Sequence, residues 1–249
     1  MVFLKRPEEI ERLRASNRIV AEVLARLRES VVAGVTTLEL NRLSEEMARS
    51  RGAVPAFKGY RGYPYALCVS VNDEVVHGMP SAKRVLKEGD IVSIDFGVFY
   101  RGYFGDAAIT VPVGVVSEEA RRLMRVTEES LYRAVDQARV GNRLGDISYA
   151  VQDHVERAGF SVVREFVGHG IGREMHEDPQ IPNFGRKGRG IVLKAGMVLA
   201  IEPMVNAGSY EVRVLADGWT AVTADGSLSA HFEHSVAIME EGPEILSVC

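Results

Sequence analysis

Apolar residues recur at helical spacing in four segments of this chain. These predicted helices come in two pairs, and each pair is followed by several short apolar runs. The first predicted helix opens at Pro7 and keeps an apolar stripe to Leu27, with acidic residues in its first turn. The second opens with Thr36 and Glu39 at capping-box spacing and stops at Gly52. The first quarter of the chain therefore predicts two amphipathic helices.

The helix pair recurs in the second half of the chain. Ser117 begins a helix whose apolar stripe reaches Val135. Asp146 is expected to cap a fourth helix, which Gly159 stops. The chain thus repeats one plan, two helices followed by strands.

Strands are predicted where β-branched or alternating residues lie between glycine and Asp-Gly turns. These runs are 67–76, 91–98, 106–113, 161–167, 197–204, 219–224 and 230–239. Helices and strands in separate blocks indicate an α+β fold. We expect the helices to cover one face of a curved, mainly antiparallel sheet and to leave its other face for a site.

A ten-residue phrase occurs twice and ends each time in an acid. Residues 86–95 read LKEGDIVSID and residues 193–202 read LKAGMVLAIE, which relates Asp95 to Glu202 at an offset of 107 (202 − 95). The same offset relates two pairs of glycines, Gly34 with Gly141 and Gly52 with Gly159. We therefore predict a single catalytic domain over residues 1–249, built from pseudo-symmetric halves at about 7–113 and 117–240.

Acidic residues at the ends of apolar strands predict a metal site. Asp95 and Asp106 flank one predicted turn and should be cross-strand neighbours, while Glu202 and Glu233 belong to two later strands. Buried like charges repel unless a proton or a cation lies between them. Four carboxylates balance two divalent ions, and with His169, which lies between glycines, they form an oxygen-rich set suited to Mn²⁺, Fe²⁺, Co²⁺ or Zn²⁺. Two such ions about 3.5–4 Å apart can activate a shared water, which suits hydrolysis of an amide or an ester.

Composition narrows the class of protein. The chain has 46% hydrophobic residues and a formal charge of −4, without the basic footprint of a general nucleic-acid binder. Two cysteines, Cys68 and Cys249, make no disulfide framework and favour a reducing compartment. The N-terminus has no signal-peptide pattern and no apolar run approaches a membrane span. We expect a cytoplasmic monomer that does not bind membranes.

Five motifs, in order, carry a family resemblance. The segments IDFGV, GYFGDAA, EFVGHGIGREMHEDP, AIEPMV and SAHFEH are similar to those of type 1 methionine aminopeptidases, over about Pro7 to Leu246. The resemblance implies the pita-bread fold, two pseudo-symmetric halves around a dinuclear metal site. It also implies that the initiator methionine is removed from nascent proteins when the next residue is small. We expect a bacterial-type enzyme, without the N-terminal zinc-binding extension of longer eukaryotic members and without the helical insertion typical of type 2.

Matched position by position, the resemblance assigns a role to each candidate residue. Asp106 and Glu233 would bridge two ions, Asp95 would complete the second, and His169 and Glu202 the first. Glu202 would also take a proton from the attacking water. His176 would stabilise the oxyanion and His77 would contact the scissile amide. The methionine pocket would be formed by Phe57, Tyr60, Tyr63, Cys68, Met175 and Trp219.

The sequence leaves the selectivity of the pocket and the role of one basic segment open. Phe57 replaces the Cys of some bacterial members and Met175 replaces a frequent aromatic residue, which leaves the selectivity open. His231, His234 and His154 are interpreted as structural. The basic run at 186–190 is interpreted as a solvated loop, with a ribosome-facing surface as the alternative.

Two other functions compete. Prolidases and aminopeptidase P resemble the ligand set, but typically carry a large additional N-terminal domain. A catalytically dead binding module on the same fold is the other alternative. Such modules tend to lose metal ligands, whereas all five candidate ligands are present here.

Overall fold

Four α-helices cover one face of a large curved sheet in the computed structural model, which describes residues 2–248. The helices are α1 Pro7–Ser30, α2 Thr37–Ser50, α3 Glu118–Gln137 and α4 Leu144–Arg157. A single 3-10 turn spans Tyr60–Gly62 within this part of the chain. None of the helices in residues 2–248 combines the length and the apolar content needed to cross a membrane.

The described residues contain fifteen strands, which follow the helix pair of each half, and every pairing between them is antiparallel. The first half contributes β1 Val54–Pro55, β2 Cys68–Val71, β3 Glu74–Val76, β4 Ile91–Tyr100 and β5 Tyr103–Pro112. The second half contributes β6 Ser161–Val162, β7 Gly168–Gly170, β8 Glu177–Ile181, β9 Val198–Ile201, β10 Met204–Asn206, β11 Val212–Val214, β12 Ala221–Thr223, β13 Ser229–His231, β14 Glu233–Met239 and β15 Gly242–Ile245.

The main sheet runs in the order β1-β4-β5-β14-β9-β7-β8, with β2 also paired to β4 and β15 to β14. Its centre joins the two halves of the chain, because β5 of the first half pairs with β14 of the second. Two smaller sheets, β13-β10-β6 and β11-β12-β3, flank it. The expected α+β fold with a curved antiparallel sheet is confirmed.

Alternation along β4 separates the core from the site. Val92, Ile94, Phe96 and Val98 are fully buried and pack with the apolar faces of α1 and α2. The second half has an equivalent core, in which α3 and α4 pack on β9 and β14. Because successive strand residues point to opposite faces, Asp95 lies on the face that the helices leave open.

The internal repeat is visible in the backbone. Shifting the bounds of α2 by 107 residues reproduces those of α4. The Gly34 amide donates to the Leu86 carbonyl at 2.9 Å, and the Gly141 amide donates to the Leu193 carbonyl at 3.1 Å. All four glycines paired by the offset have positive φ, which glycine adopts without steric cost. The two halves therefore end and restart their helices in the same way.

Local structure differs from the sequence prediction at one helix start. Arg143, not Asp146, is the N-cap of α4, and Asp146 lies in the first turn with its carboxylate accepting the Arg143 amide at 2.7 Å. Glu39 does the same to the Thr36 amide, also at 2.7 Å. Asp146 is thus the acidic partner of the N-cap, a role that its spacing from Arg143 also allows.

Three predicted strands are interrupted and two are shorter, since the run at 219–224 is reduced to Ala221–Thr223. The run at 67–76 splits into β2 and β3 because Asn72 adopts a left-handed conformation (φ 61°) and turns the chain. The run at 197–204 splits after Ile201, where Pro203 has no amide to donate to a ladder. The run at 230–239 divides at Phe232, and only Ser161–Val162 of 161–167 is paired.

Helix α1 holds the strand that carries Asp106. The buried Asn17 side chain donates to the Leu13 carbonyl at 3.0 Å and accepts the Asp106 amide at 3.2 Å. A Cβ at Gly105 would lie 2.8 Å from the Asn17 nitrogen, so helix and strand backbones are in direct contact. Asn17 thereby links the first helix to the site.

We expect Asn17→Ala to lower the free energy of unfolding by about 2 kcal/mol, because the buried Asp106 amide loses its acceptor. Urea unfolding measures the change. Arg18→Ala, at the exposed neighbouring position, is the control and should change stability by less than about 0.5 kcal/mol. Equal stabilities of the two variants would contradict the role of Asn17.

Candidate metal centre and substrate pocket

Three neighbouring strands bring carboxylates to one face of the sheet. Asp95 of β4 and Glu233 of β14 are both register partners of Ala108 in β5. Asp106 lies two residues along β5, opposite Gly97, and therefore on the same face as Ala108. The two aspartates are diagonal neighbours across the β4–β5 pair. Ala108, with its short side chain, leaves the space between the acids open.

The neighbouring strands add a histidine and a fourth acid. His169 of β7 pairs with Ala200 of β9, and Glu202 directly follows that strand. The His169 Nε2 atom lies 3.6 Å from Glu202 Oε1 and 3.9 Å from Asp106 Oδ2. The other ring nitrogen, Nδ1, donates to the Gly170 carbonyl at 2.9 Å. The neutral ring therefore presents the Nε2 lone pair to the carboxylates.

Burial changes the pKa of every group in this cluster. It raises the pKa of Asp95 to about 7. The pKa values of Asp106, Glu202 and Glu233 lie well above the ordinary range, first because of burial and then because of the neighbouring carboxylates. Burial lowers the pKa of His169 to about 4, which keeps its imidazole neutral at pH 7. Four ionised acids are therefore costly here without a cation.

Unpartnered oxygens point to that cation. Among residues 2–248, Asp95 Oδ1, Asp106 Oδ1 and Glu233 Oε1 are buried without a hydrogen-bond partner. No arginine or lysine of the described residues forms an ion pair with these acids or with Glu202. Ligand atoms of Asp106, His169 and Glu233 all lie within 4.8 Å of one another. Buried oxygens without partners, next to one neutral imidazole, fit divalent metal ions.

One cleft contains all the site residues that the sequence predicts. It has about 140 Å³ of space for water-sized molecules, and the four carboxylates and His169 form part of its wall. Its other walls are His77, His176, Phe57, Tyr60, Tyr63, Cys68, Met175 and Trp219. Burial raises the pKa of the Cys68 thiol well above its usual range, so this side chain is a protonated, small apolar wall. The cleft is apolar on one side and acidic on the other.

Aromatic contacts and hydrogen bonds shape the apolar side of the cleft. The Tyr63 hydroxyl reaches the carbonyls of Leu67 and Gly78, both at 3.0 Å. Its ring meets Trp219 edge-on with 5.1 Å between centroids. A Cβ at Gly97 would lie 3.0 Å from Phe57 Cε1 and 3.1 Å from Met175 Cε. Phe57 and Met175 therefore converge above Gly97, beside the acids.

Two more histidines, His77 and His176, line the cleft. The His176 Nδ1 atom is hydrogen-bonded to the Tyr60 hydroxyl at 2.8 Å, and its ring centroid is 4.2 Å from that of His169. The His77 backbone is left-handed (φ 59°), and its ring meets Phe166 edge-on at 5.3 Å. Burial lowers the pKa of His176 to about 3 and that of His77 below its usual value. Both rings are neutral hydrogen-bonding groups at pH 7.

Arg61 and His231 also face this site, although the sequence analysis gave them no role in it. Arg61 lines the cleft in a left-handed conformation, with its guanidinium 5.3 Å from the Tyr60 ring centroid. His231 Nε2 lies buried 3.8 Å from Glu202 Oε2. His231 could have been predicted to face the site from its two-residue spacing from Glu233. The sequence around Arg61 offers no such signal except its aromatic neighbours. His234 and His154 lie elsewhere, bonded to Ser247 and Glu129.

Fold and site together define a metal-dependent hydrolase, and comparisons with known proteins agree. The model of metallopeptidase family M24 matches residues 11–240. A methionine aminopeptidase of Clostridium perfringens is 57% identical over 248 residues, covering 100% of this chain and 99% of the relative. Methionine aminopeptidase 1 of Bacillus subtilis is 52% identical over 247 residues, covering 99% of each. The crystal structure of methionine aminopeptidase from Thermotoga maritima covers 100% of both chains, with a TM-score of 0.99 at 52% identity.

This chain belongs to metallopeptidase family M24, and within it to the methionine aminopeptidases. The prolidase from Pyrococcus furiosus is a more distant relative, with 26% identity and a TM-score of 0.81 over 99% of this chain and 65% of that one. The family recognised from the motifs, the pita-bread fold and the enzyme class are thus confirmed, and prolidase is the less similar alternative.

Proposed function

We propose that this chain hydrolytically removes the initiator methionine from nascent proteins whose second residue is small. A buried group of four carboxylates and one imidazole, beside an apolar cleft, is the observation that carries the proposal. The acidic side suits water activation and the apolar side suits an unbranched thioether side chain. The substrates are Met-Xaa peptides with a free N-terminus.

The five candidate ligands would hold two divalent ions. Asp106 and Glu233 would contribute to both ions, Asp95 to one of them, and His169 and Glu202 to the other. Bound there, the ions would lower the pKa of a water molecule and polarise the methionine carbonyl. Carboxylates with one imidazole suit Co²⁺, Mn²⁺, Fe²⁺ and Zn²⁺ alike.

Proton transfers fall to the side chains of the chain itself. Water attacks the carbonyl carbon, and Glu202 takes the proton released from this water and passes it to the departing nitrogen as the C–N bond breaks. His176 donates to the developing oxyanion, with its Nδ1 held by Tyr60, and His77 bonds the scissile amide.

Methionine selectivity is assigned to the apolar wall of Phe57, Tyr60, Tyr63, Cys68, Met175 and Trp219. The convergence of Phe57 and Met175 above Gly97 supports a narrow pocket that admits an unbranched chain. The two halves act as one catalytic domain over residues 1–249, because the first supplies two acids and the second supplies the remaining ligands.

Peptide competition tests this function. We expect Met-Ala-Ser to be cleaved at least about 100-fold faster than Met-Leu-Ser or Ala-Pro-Ser, a difference of about 2.7 kcal/mol in transition-state binding. The measurement is kcat/KM with each peptide at saturating Mn²⁺ or Co²⁺. Preferential cleavage of Ala-Pro-Ser would favour a prolidase. The absence of both turnover and bound divalent metal would favour a binding module.

We further propose that the chain works as a monomer in the cytoplasm and contacts the ribosome transiently. The segment 186–190, RKGRG, supports the contact because all of it is exposed. Charge reversal in this segment should weaken cosedimentation with ribosomes. Unchanged pelleting would remove the ribosome contact without affecting the assignment of the reaction.

A further inference from the structure

A short N-terminal segment, residues 2–6, lies across the second half of the molecule; we name it the strap. The Lys5 amide donates to the Gly196 carbonyl at 2.7 Å. The Lys5 side chain is buried, and its ammonium pairs with Glu177 Oε2, whose side chain is also buried. A Cβ at Gly172 would lie 2.5 Å from Lys5 Cε, so the lysine stem rests directly on the glycine.

Glu177 uses its two carboxylate oxygens for different purposes. Oε2 pairs with Lys5, whereas Oε1 accepts the backbone amides of Arg173 at 2.8 Å and Glu174 at 3.3 Å. The segment 173–176, which we name the site turn, is therefore closed by a carboxylate that the strap holds in place. Pairing neutralises the buried carboxylate without competing for the oxygen that closes the turn.

The site turn carries two residues of the cleft. Met175 is 2% exposed and forms part of the apolar wall. His176 follows it, hydrogen-bonded to Tyr60 and in tilted ring contact with His169. Any shift of the turn therefore moves a pocket wall and the proposed oxyanion donor together.

A second contact joins the site turn to α1. Arg173 Nη2 lies 2.9 Å from Glu9 Oε1, which also accepts the Tyr103 hydroxyl at 2.7 Å. The Arg173 side chain is 68% exposed, so water competes for this contact. The Lys5–Glu177 ion pair, in contrast, is buried, so solvent screens its electrostatic attraction much less.

We propose that Lys5 is a positioning residue for catalysis: through Glu177 it sets the conformation of the site turn, and thereby places His176 and Met175. The inference rests on the proposed peptidase function. Lys5 is separated from Glu177 by 172 residues in sequence and does not line the cleft, so the inference gives the strap an indirect part in the reaction. Loss of the pair leaves Glu177 a buried carboxylate without its counter-charge, which must move toward solvent, and this movement loosens its hold on the turn.

Lys5→Met tests the proposal, since it removes the charge and keeps the length of the stem. We expect kcat for Met-Ala-Ser to fall about tenfold or more with a smaller change in KM, because small misplacements of a catalytic group are costly. Amide exchange at Arg173 and Glu174 should accelerate about tenfold as the closing bonds weaken. Lys83→Met, at an exposed lysine, is the matched control and should leave both measurements unchanged.

Rescue separates positioning from general stability. In Lys5→Met/Glu177→Gln the amide oxygen can still accept both backbone amides and no buried charge remains, so kcat and exchange should return toward wild type. In a His176→Ala background, Lys5→Met should lower kcat much less than in wild type, because the two act through one group.

Normal kcat in Lys5→Met, or full additivity with His176→Ala, would overturn the proposal. A loss of activity matched by loss of folded protein and not rescued by Glu177→Gln would also overturn it. If the wild-type enzyme itself fails to cleave Met-Ala-Ser, the proposed function fails instead, while the exchange experiment still tests the strap.

Discussion

Glu202→Gln should lower kcat for Met-Ala-Ser by about 10³-fold or more, at the upper end of what removal of a general base costs. The glutamine keeps the shape and one oxygen ligand but cannot take a proton from the attacking water. Glu202 is both a proposed metal ligand and the proposed base. It lies directly after β9, with its Oε1 atom 3.6 Å from the His169 Nε2 atom. KM should change little, because substrate binding depends on the opposite wall of the cleft.

Metal content distinguishes the two roles of Glu202. Elemental analysis should find nearly wild-type metal in Glu202→Gln but much less in His169→Ala, which deletes a ligand outright. Glu119→Gln, on the exposed face of α3, is the matched control and should keep full activity. Near-normal kcat in Glu202→Gln would remove this residue as the base, even if the fold and the pocket are as described.

Metal removal should lower the melting temperature by about 5 °C or more, since ions that bind only the folded state stabilise it by mass action. The carboxylates lose their counter-charge and keep protons instead, because burial raises their pKa values. Asp106→Asn, which lacks a proposed bridging ligand, should respond much less to EDTA. Identical melting curves with and without EDTA would argue against occupied metal sites.

The pH dependence of the metal-free protein follows from the same groups. A folded-state pKa raised above the unfolded value makes stability fall as pH rises toward the folded value, about 7 for Asp95. Each proton kept by the folded state contributes about 1.4 kcal/mol of this loss per pH unit. The buried histidines act oppositely, because their pKa values are lowered, and their effect fades about one pH unit above 6.5, where the unfolded-state imidazoles have lost their protons.

Between about pH 7.5 and 8.5 the three carboxylates with pKa values well above the ordinary range, Asp106, Glu202 and Glu233, therefore dominate the slope. Melting temperatures of the metal-free protein should decrease across this window, whereas those of the Mn²⁺-loaded protein should stay nearly constant. Calorimetry at matched ionic strength measures both. A rising or flat curve for the metal-free protein would contradict the buried, raised carboxylates.

The repeat and the candidate ligands could be read from the sequence because both are periodic or local. Asp95 and Glu202 end matching phrases, so the offset of 107 residues alone related them and also located the helix pairs. Alternation in β4 predicted which face carries Asp95. Roles within the metal site came from the family resemblance and not from spacing, and they stay proposals.

Other features depended on contacts that no local pattern encodes. The two-residue period of a strand was enough to place Asp95 on the correct face of β4. The start of α4, two residues before Asp146, depends instead on the antiparallel bridge between Arg143 and Val192. Arg61 lines the cleft because its own backbone is left-handed. His231, the last residue of β13, lies 3.8 Å from Glu202, which follows the end of β9.

By itself the sequence determined the doubled α+β plan, the acids that face the cleft and the family. Helical and strand periods, capping residues and motif spacing are properties of neighbouring residues, and they survive without coordinates. Only the tertiary structure decided that Ala108 separates two acids, that Phe57 and Met175 meet above Gly97, and that Lys5 reaches Glu177. Such contacts join distant residues through packing, which depends on the whole fold at once.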